Sequence, residues 1–207
     1  MPAVKVKRNS PAMDMTAMCD VAFLLLTFFI LTAQFKSQDV AEIETPHSIS
    51  AIPVPDKDIM VIALDKEGKV YFGVDNQVTR IAMLDAIATT EGLKFNDKER
   101  KAFSLQSNFG IPMRNLNAFL SLPPDKMKEV KQPGIPTDST AQNELAKWIY
   151  QARLVTQNKI RIAIKGDNIS KFPVFKNVMS SLQAQDINKF NLITGSEAPP
   201  AGWVADK

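Results

Sequence analysis

A chain of 207 residues is long enough for one ordinary domain with appendages. Its 25 Lys and Arg against 22 Asp and Glu leave a formal charge of +3, with no basic stripe or basic-aromatic interleaving, so no nucleic-acid surface is expected. One cysteine, Cys19, excludes an internal disulfide, and one cysteine with one histidine makes neither a zinc site nor any other cofactor expected.

The mean hydropathy of -0.10 averages two unlike regions. From Met15 to Phe35 (MTAMCDVAFLLLTFFILTAQF) the chain carries one charge, Asp20. The uncharged run Val21 to Phe35 would cover roughly 22 Å as helix, short of a hydrocarbon core about 30 Å thick. A span must therefore recruit Met15 to Cys19 and take Asp20 inside. The expectation is a transmembrane helix over 14–36 behind a short arm, 1–13. A secretory signal peptide is the competing reading, with Lys5, Lys7 and Arg8 as its basic region, but Asp14 and Asp20 stand where such peptides lack acids. Those three cations precede the run, while Lys36 is followed by Asp39, Glu42 and Glu44. The distribution orients the N-terminus to the cytoplasm and the remainder outside, which in a diderm bacterium is the periplasm.

An ionised group inside a bilayer costs at least ~2.5 kcal/mol on insertion scales, so Asp20 needs a reason. Thr16, Asp20, Thr27 and Gln34 recur at helical spacing and form one polar stripe, with Leu24, Leu25, Phe28, Phe29 and Leu31 assigned to the other faces. One helix cannot satisfy such a stripe alone, which predicts partner helices as well as lipid contact. The blander alternative has Asp20 reaching back to the cytoplasmic boundary or capping the helix, which a short side chain does poorly.

Residues 37–57, acidic and carrying Pro46, Pro53 and Pro55, read as an extended linker that reaches at most about 70 Å or pairs with a partner strand. His47 falls there and reads as a solvated linker residue. A domain follows over 58–195. Ile59 to Leu64, the turn Asp65 to Gly68, and Lys69 to Gly73 form a hairpin. Thr79 is the expected cap of a helix reaching Thr90, with Ile81, Leu84, Ile87 and Ala88 inward. The stretch from about 91 to 139 reads as a helical insertion: Pro112 opens a short helix carrying Leu116, Phe119 and Leu120, then a loop holds Pro123, Pro124, Pro133 and Pro136. A helix over Thr140 to Val155 is expected behind a Ser139 cap, with Leu145, Trp148, Ile149 and Ala152 on one side. Ile160 to Lys165 alternates as a half-buried strand, Val174 to Ala184 is helical after Pro173, Phe190 to Thr194 is a last strand, and 196–207 is a tail. The fold class expected is α+β: one N-terminal transmembrane helix, then a small two-layer domain whose sheet is covered on one face by helices.

Phosphate-binding, dinucleotide-binding, zinc-protease and serine-hydrolase motifs are all absent, so enzymatic function has little support. The run Asp14-Met15-Thr16-Ala17-Met18-Cys19-Asp20-Val21 leading into the apolar span resembles the ExbD/TolR family. The likeness continues through Ile59 to Gly73 and Lys159 to Thr194, while the stretch 91–139 is longer than is usual there. The resemblance implies an inner-membrane subunit of a proton-driven motor, with two copies of the span inside a ring of ExbB-like subunits. Asp20 would carry the proton and Thr16 match the motif beside it, with the domain dimerising and engaging a TonB-like protein to energise outer-membrane transport. The alternatives are a TolR-like role gripping peptidoglycan, and a membrane-anchored binding module without proton chemistry.

Overall fold

The computed structural model describes residues 15–32, 43–48, 58–137 and 143–196. The chain divides into two compact units, Met1–Lys36 and Ser37–Lys207. In the first, helix α1 runs over Met15–Thr32. In the second, β1 is His47–Ser48, and the expected hairpin is present as β2 (Ile59–Leu64) and β3 (Val70–Val74), antiparallel in the register Ile62 to Phe72. Gly68 closes its turn at φ +83, where an L side chain would be strained. The Gly68 N–H donates to Asp65 O at 2.9 Å. Lys69 Nζ lies 2.6 Å from Glu67, and its donated hydrogen bond holds the Glu67 carboxyl below the usual carboxylate range.

Helix α2 (Gln77–Glu91) starts earlier than expected. Its cap is Asn76, whose Oδ1 accepts the Val78 N–H at 2.9 Å, and Thr79 lies inside the first turn. Asn76 wins because it stands where the strand leaves extended backbone, with a side chain that reaches back to free N–H groups. Leu84 and Ile87 are buried as expected, but Met83 takes the third core position and Ile81 and Ala88 are half-buried. Arg80 is buried too; its guanidinium donates to Asp75 O and Gln106 O.

The next stretch holds more structure than its prolines suggest: α3 (Asp97–Leu105), β4 (Asn108–Phe109), α4 (Met113–Leu120) and α5 (Pro124–Glu129). Pro112 caps α4 as read from the sequence, and Leu116, Phe119 and Leu120 are buried. Helix α6 (Glu144–Val155) is capped by Asn143, whose Oδ1 accepts the Ala146 N–H; the expected cap Ser139 and start Thr140 lie outside the described residues. Strand β5 is Arg161–Gly166, α7 is Phe172–Gln183 with Pro173 inside its first turn, β6 is Asn191–Ile193 and β7 is Gly195–Ser196.

The main sheet has the order β4-β3-β2-β5-β6, antiparallel on the β3 side and parallel from β2 to β6. Strand β5 is therefore interior: Ile162 and Ile164 are buried and Arg161 is exposed, as the alternation predicts, and Ala163 on the second face is buried as well. Met60, Ile62, Leu64, Phe72, Ile162 and Ile164 join Leu84, Ile87, Trp148, Ile149, Val178 and Leu182 in one core. Phe103, Phe109, Leu116 and Phe119 belong to that same core, so the described part of this stretch, 91–137, builds part of the sheet and its interior. Around Trp148 the rings of Phe72, Phe103 and Phe109 sit 6.2, 6.0 and 4.7 Å away. The fold class is α+β, one apolar helix followed by a mixed sheet and helices.

Candidate functional site

Helix α1 is the one helix among the described residues long and apolar enough to cross a membrane, with a mean hydropathy of 2.0 over its 18 residues. Eighteen helical residues extend roughly 27 Å, close to a hydrocarbon core. None is buried against protein, and its large apolar side chains are 53–85% exposed. Such a surface is at rest only in lipid or against other helices. The helix fits a single-pass membrane anchor.

Its polar groups separate into two kinds. Thr27 Oγ1 donates to Leu24 O at 3.0 Å and Thr32 Oγ1 to Phe28 O at 2.8 Å. Each hydroxyl thereby satisfies itself on its own helix and demands nothing from a partner. Asp20 is the only charged residue on α1 and its side chain is exposed. Thr16, Asp20 and Thr27 fall on one face, while Gln34 lies outside the described residues. The face is less polar than the sequence reading drew it: at 3.6 residues per turn, Leu24 and Leu31 come round within about 40° of Asp20. The face around Asp20 is therefore mixed, with Thr16 and Thr27 beside Leu24 and Leu31.

Part of the expected linker is docked. Residues 43–48 pack within the second unit, with β1 pairing β7 in parallel. The Asp167 carboxylate accepts the Glu44 N–H at 3.1 Å through Oδ2 and the Ile169 N–H at 3.0 Å through Oδ1. The Asn168 N–H donates to Glu44 O, and the Gly195 N–H to Pro46 O. His47 is an exposed residue of β1. Sequence reasoning missed Asp167, whose partner is remote in the chain and leaves no local pattern.

Among the described residues no group of three His, Cys, Asp or Glu could hold a metal ion. An open cavity of about 800 Å³ lies where β5 and β6 begin and carries Arg153, Arg161, Lys189 and Asp186. A second, of about 630 Å³, runs between α3 and the α4–α5 turn.

The family described as biopolymer transport protein ExbD/TolR matches residues 6–197, nearly the whole chain. No curated protein and no solved structure matches it.

Proposed function

Because the chain belongs to the ExbD/TolR family, whose members are non-enzymatic accessory proteins of biopolymer transport, we propose that it is the proton-carrying subunit of an inner-membrane motor that energises TonB-dependent outer-membrane transport. The observation that carries this reading is Asp20, the sole charge on a helix otherwise made for lipid. In this reading α1 packs, as one of two copies, inside a ring of ExbB-like subunits. The N-terminus faces the cytoplasm and the sheet domain the periplasm, as the cations Lys5, Lys7 and Arg8 favour. The Asp20 carboxylate takes a proton from one side, becomes neutral, and releases it to the other. One charge crossing 100 mV delivers about 2.3 kcal/mol, enough to bias a rotation or tilt of α1 against its partners. Thr16, one turn away on the same face, and Gln34 are the further polar contacts proposed toward the ring, and a TonB-like protein is the partner of the sheet domain.

The test is Asp20→Asn, which keeps size and hydrogen bonding but removes the titratable proton. Energy-dependent uptake across the outer membrane should be lost with the protein still inserted at normal levels. Uptake that persists in this variant would sink the proposal. Retention of the protein on isolated peptidoglycan would direct the same motor to a TolR-like role instead.

A further inference from the structure

The turn from β5 into α7 presents an apolar pair that the motor leaves unused. Ile169 and Phe172, three residues apart, are 75% and 73% exposed. The backbone beneath them is fixed at Asp167. Its N–H donates to Leu64 O, its carbonyl accepts the Ser170 N–H, and its carboxylate accepts the Ile169 N–H, each at 3.0 Å. Val174 and Phe175 turn inward and pack on the core, which leaves Phe172 and Lys176, one helical turn apart, on the outer face. From Asn168 to Gln185 the chain carries two cations, Lys171 and Lys176, and no acid. Both lysines are exposed, and neither enters an ion pair among the described residues. Two large apolar side chains held in water beside free cations mark a surface that something covers.

We propose that Ile169, Lys171, Phe172 and Lys176 form a docking surface for an anionic lipid bilayer, the one that α1 enters. Ile169 and Phe172 bury in the boundary between headgroups and acyl chains, while the two ammonium groups meet lipid phosphates. Glu44, exposed beside the turn, subtracts one charge and leaves the cations in excess. The choice of a bilayer over a soluble partner rests on where the chain arrives. The Asn168 N–H donates to Glu44 O, so the segment coming from α1 reaches the domain at this same turn. Glu44 stands twelve positions after Thr32, the last residue of α1, and a tether of that length spans at most about 40 Å. Contact with lipid is thereby intramolecular, and a patch too small to bind a free partner can still be occupied.

The test uses the full-length protein in nanodiscs of phosphatidylcholine alone, or of two parts phosphatidylcholine to one part phosphatidylglycerol, with nitroxide-labelled lipid in each. In a Cys19→Ser background an environment-sensitive NBD fluorophore is attached at Ile169→Cys, or at Leu105→Cys, a 62% exposed position on α3, as the control. In the phosphatidylglycerol discs the label at position 169 should shift to the blue and be quenched by the nitroxide, and the label at position 105 should do neither. Lys171→Gln and Lys176→Gln should each lower the ratio of docked to free domain about fivefold, and ~1 M salt should also lower it. Phe172→Cys carries the same label should Ile169→Cys fail to fold. Equal quenching at positions 169 and 105, equal quenching in the two lipid mixtures, or indifference to both lysine substitutions would overturn the proposal. A label at position 169 that stays in water until a purified partner protein is added would overturn it in favour of a protein contact. The readout involves neither Asp20 nor transport, so it stands or falls apart from the motor.

Discussion

The Asp167 carboxylate accepts the backbone N–H of Glu44 at 3.1 Å, joining positions 123 apart in the chain. Asp167 is itself buried, and its second oxygen holds the Ile169 N–H. One side chain thus fixes both the turn after β5 and the segment leading into β1. Asp167→Ala leaves two N–H groups without their acceptor, which should cost about 1–3 kcal/mol. Hydrogen exchange at the Glu44 amide should quicken about tenfold or more. Exchange as slow as in the parent protein would show that the β1–β7 pairing holds the segment by itself.

Trp148 packs against three rings in the interior. Trp148→Ala should cost about 3–5 kcal/mol in urea unfolding followed by far-UV circular dichroism. Trp148→Phe should cost clearly less. Its loss is confined to volume, because the buried indole Nε1 has no hydrogen-bond partner to forfeit.

Two glycines separate backbone strain from steric clash. Gly92 ends α2 at φ +69 with nothing within 4 Å of where a Cβ would stand. Gly92→Ala should therefore cost about 1 kcal/mol from conformation alone. A Cβ on Gly73 would fall onto the Asn108 side chain and the Ser107 carbonyl. Gly73→Ala should cost more, about 2–3 kcal/mol, by forcing β4 away from β3. Equal unfolding midpoints for the two variants would contradict this division.

Burial, reinforced by the charge of Asp65, pushes the Tyr71 phenol above its ordinary value. The sign follows from the raised folded value: this contribution to stability is intact below about pH 10, the unfolded value, and is lost as pH rises through the folded one. In a Tyr150→Phe background Tyr71 is the sole tyrosine. Its absorbance titration should lie to the alkaline side of a free phenol until the protein unfolds, and Tyr71→Phe should unfold at higher pH than its parent. A midpoint at the free-phenol value would refute the burial argument.

Local rules carried the reading where the chain is locally determined. The hairpin was legible because Asp65 to Gly68 is a turn with a glycine where φ must be positive. The short helix after Pro112 was legible from its apolar spacing. Asp20 was legible because a charge within an apolar run is conspicuous. Strand β4 was not, since two residues paired with β3 carry no periodicity and owe their place to the sheet. Helix α3 did leave a signal, Asn96 followed by Glu99, whose carboxylate accepts the Asn96 N–H at 2.8 Å; the surrounding charges masked it. Strand β5 was legible as half-buried, with Ile162 and Ile164 inward and Arg161 exposed; the complete burial of Ala163 on the other face was not. Its neighbours β2 and β6, which decide its burial, are set by tertiary pairing.

The register of Ile62 with Ile164 fixes the order in which the molecule can be completed. The hairpin and α2 can assemble from the first part of the domain, but the second edge of β2 waits for a partner about a hundred residues later, a separation that slows folding. A nascent chain halted before Arg161 presents an open apolar strand edge over Met60 to Leu64, the kind of edge that recruits other chains. C-terminal truncations should for that reason yield aggregates in place of smaller folded pieces.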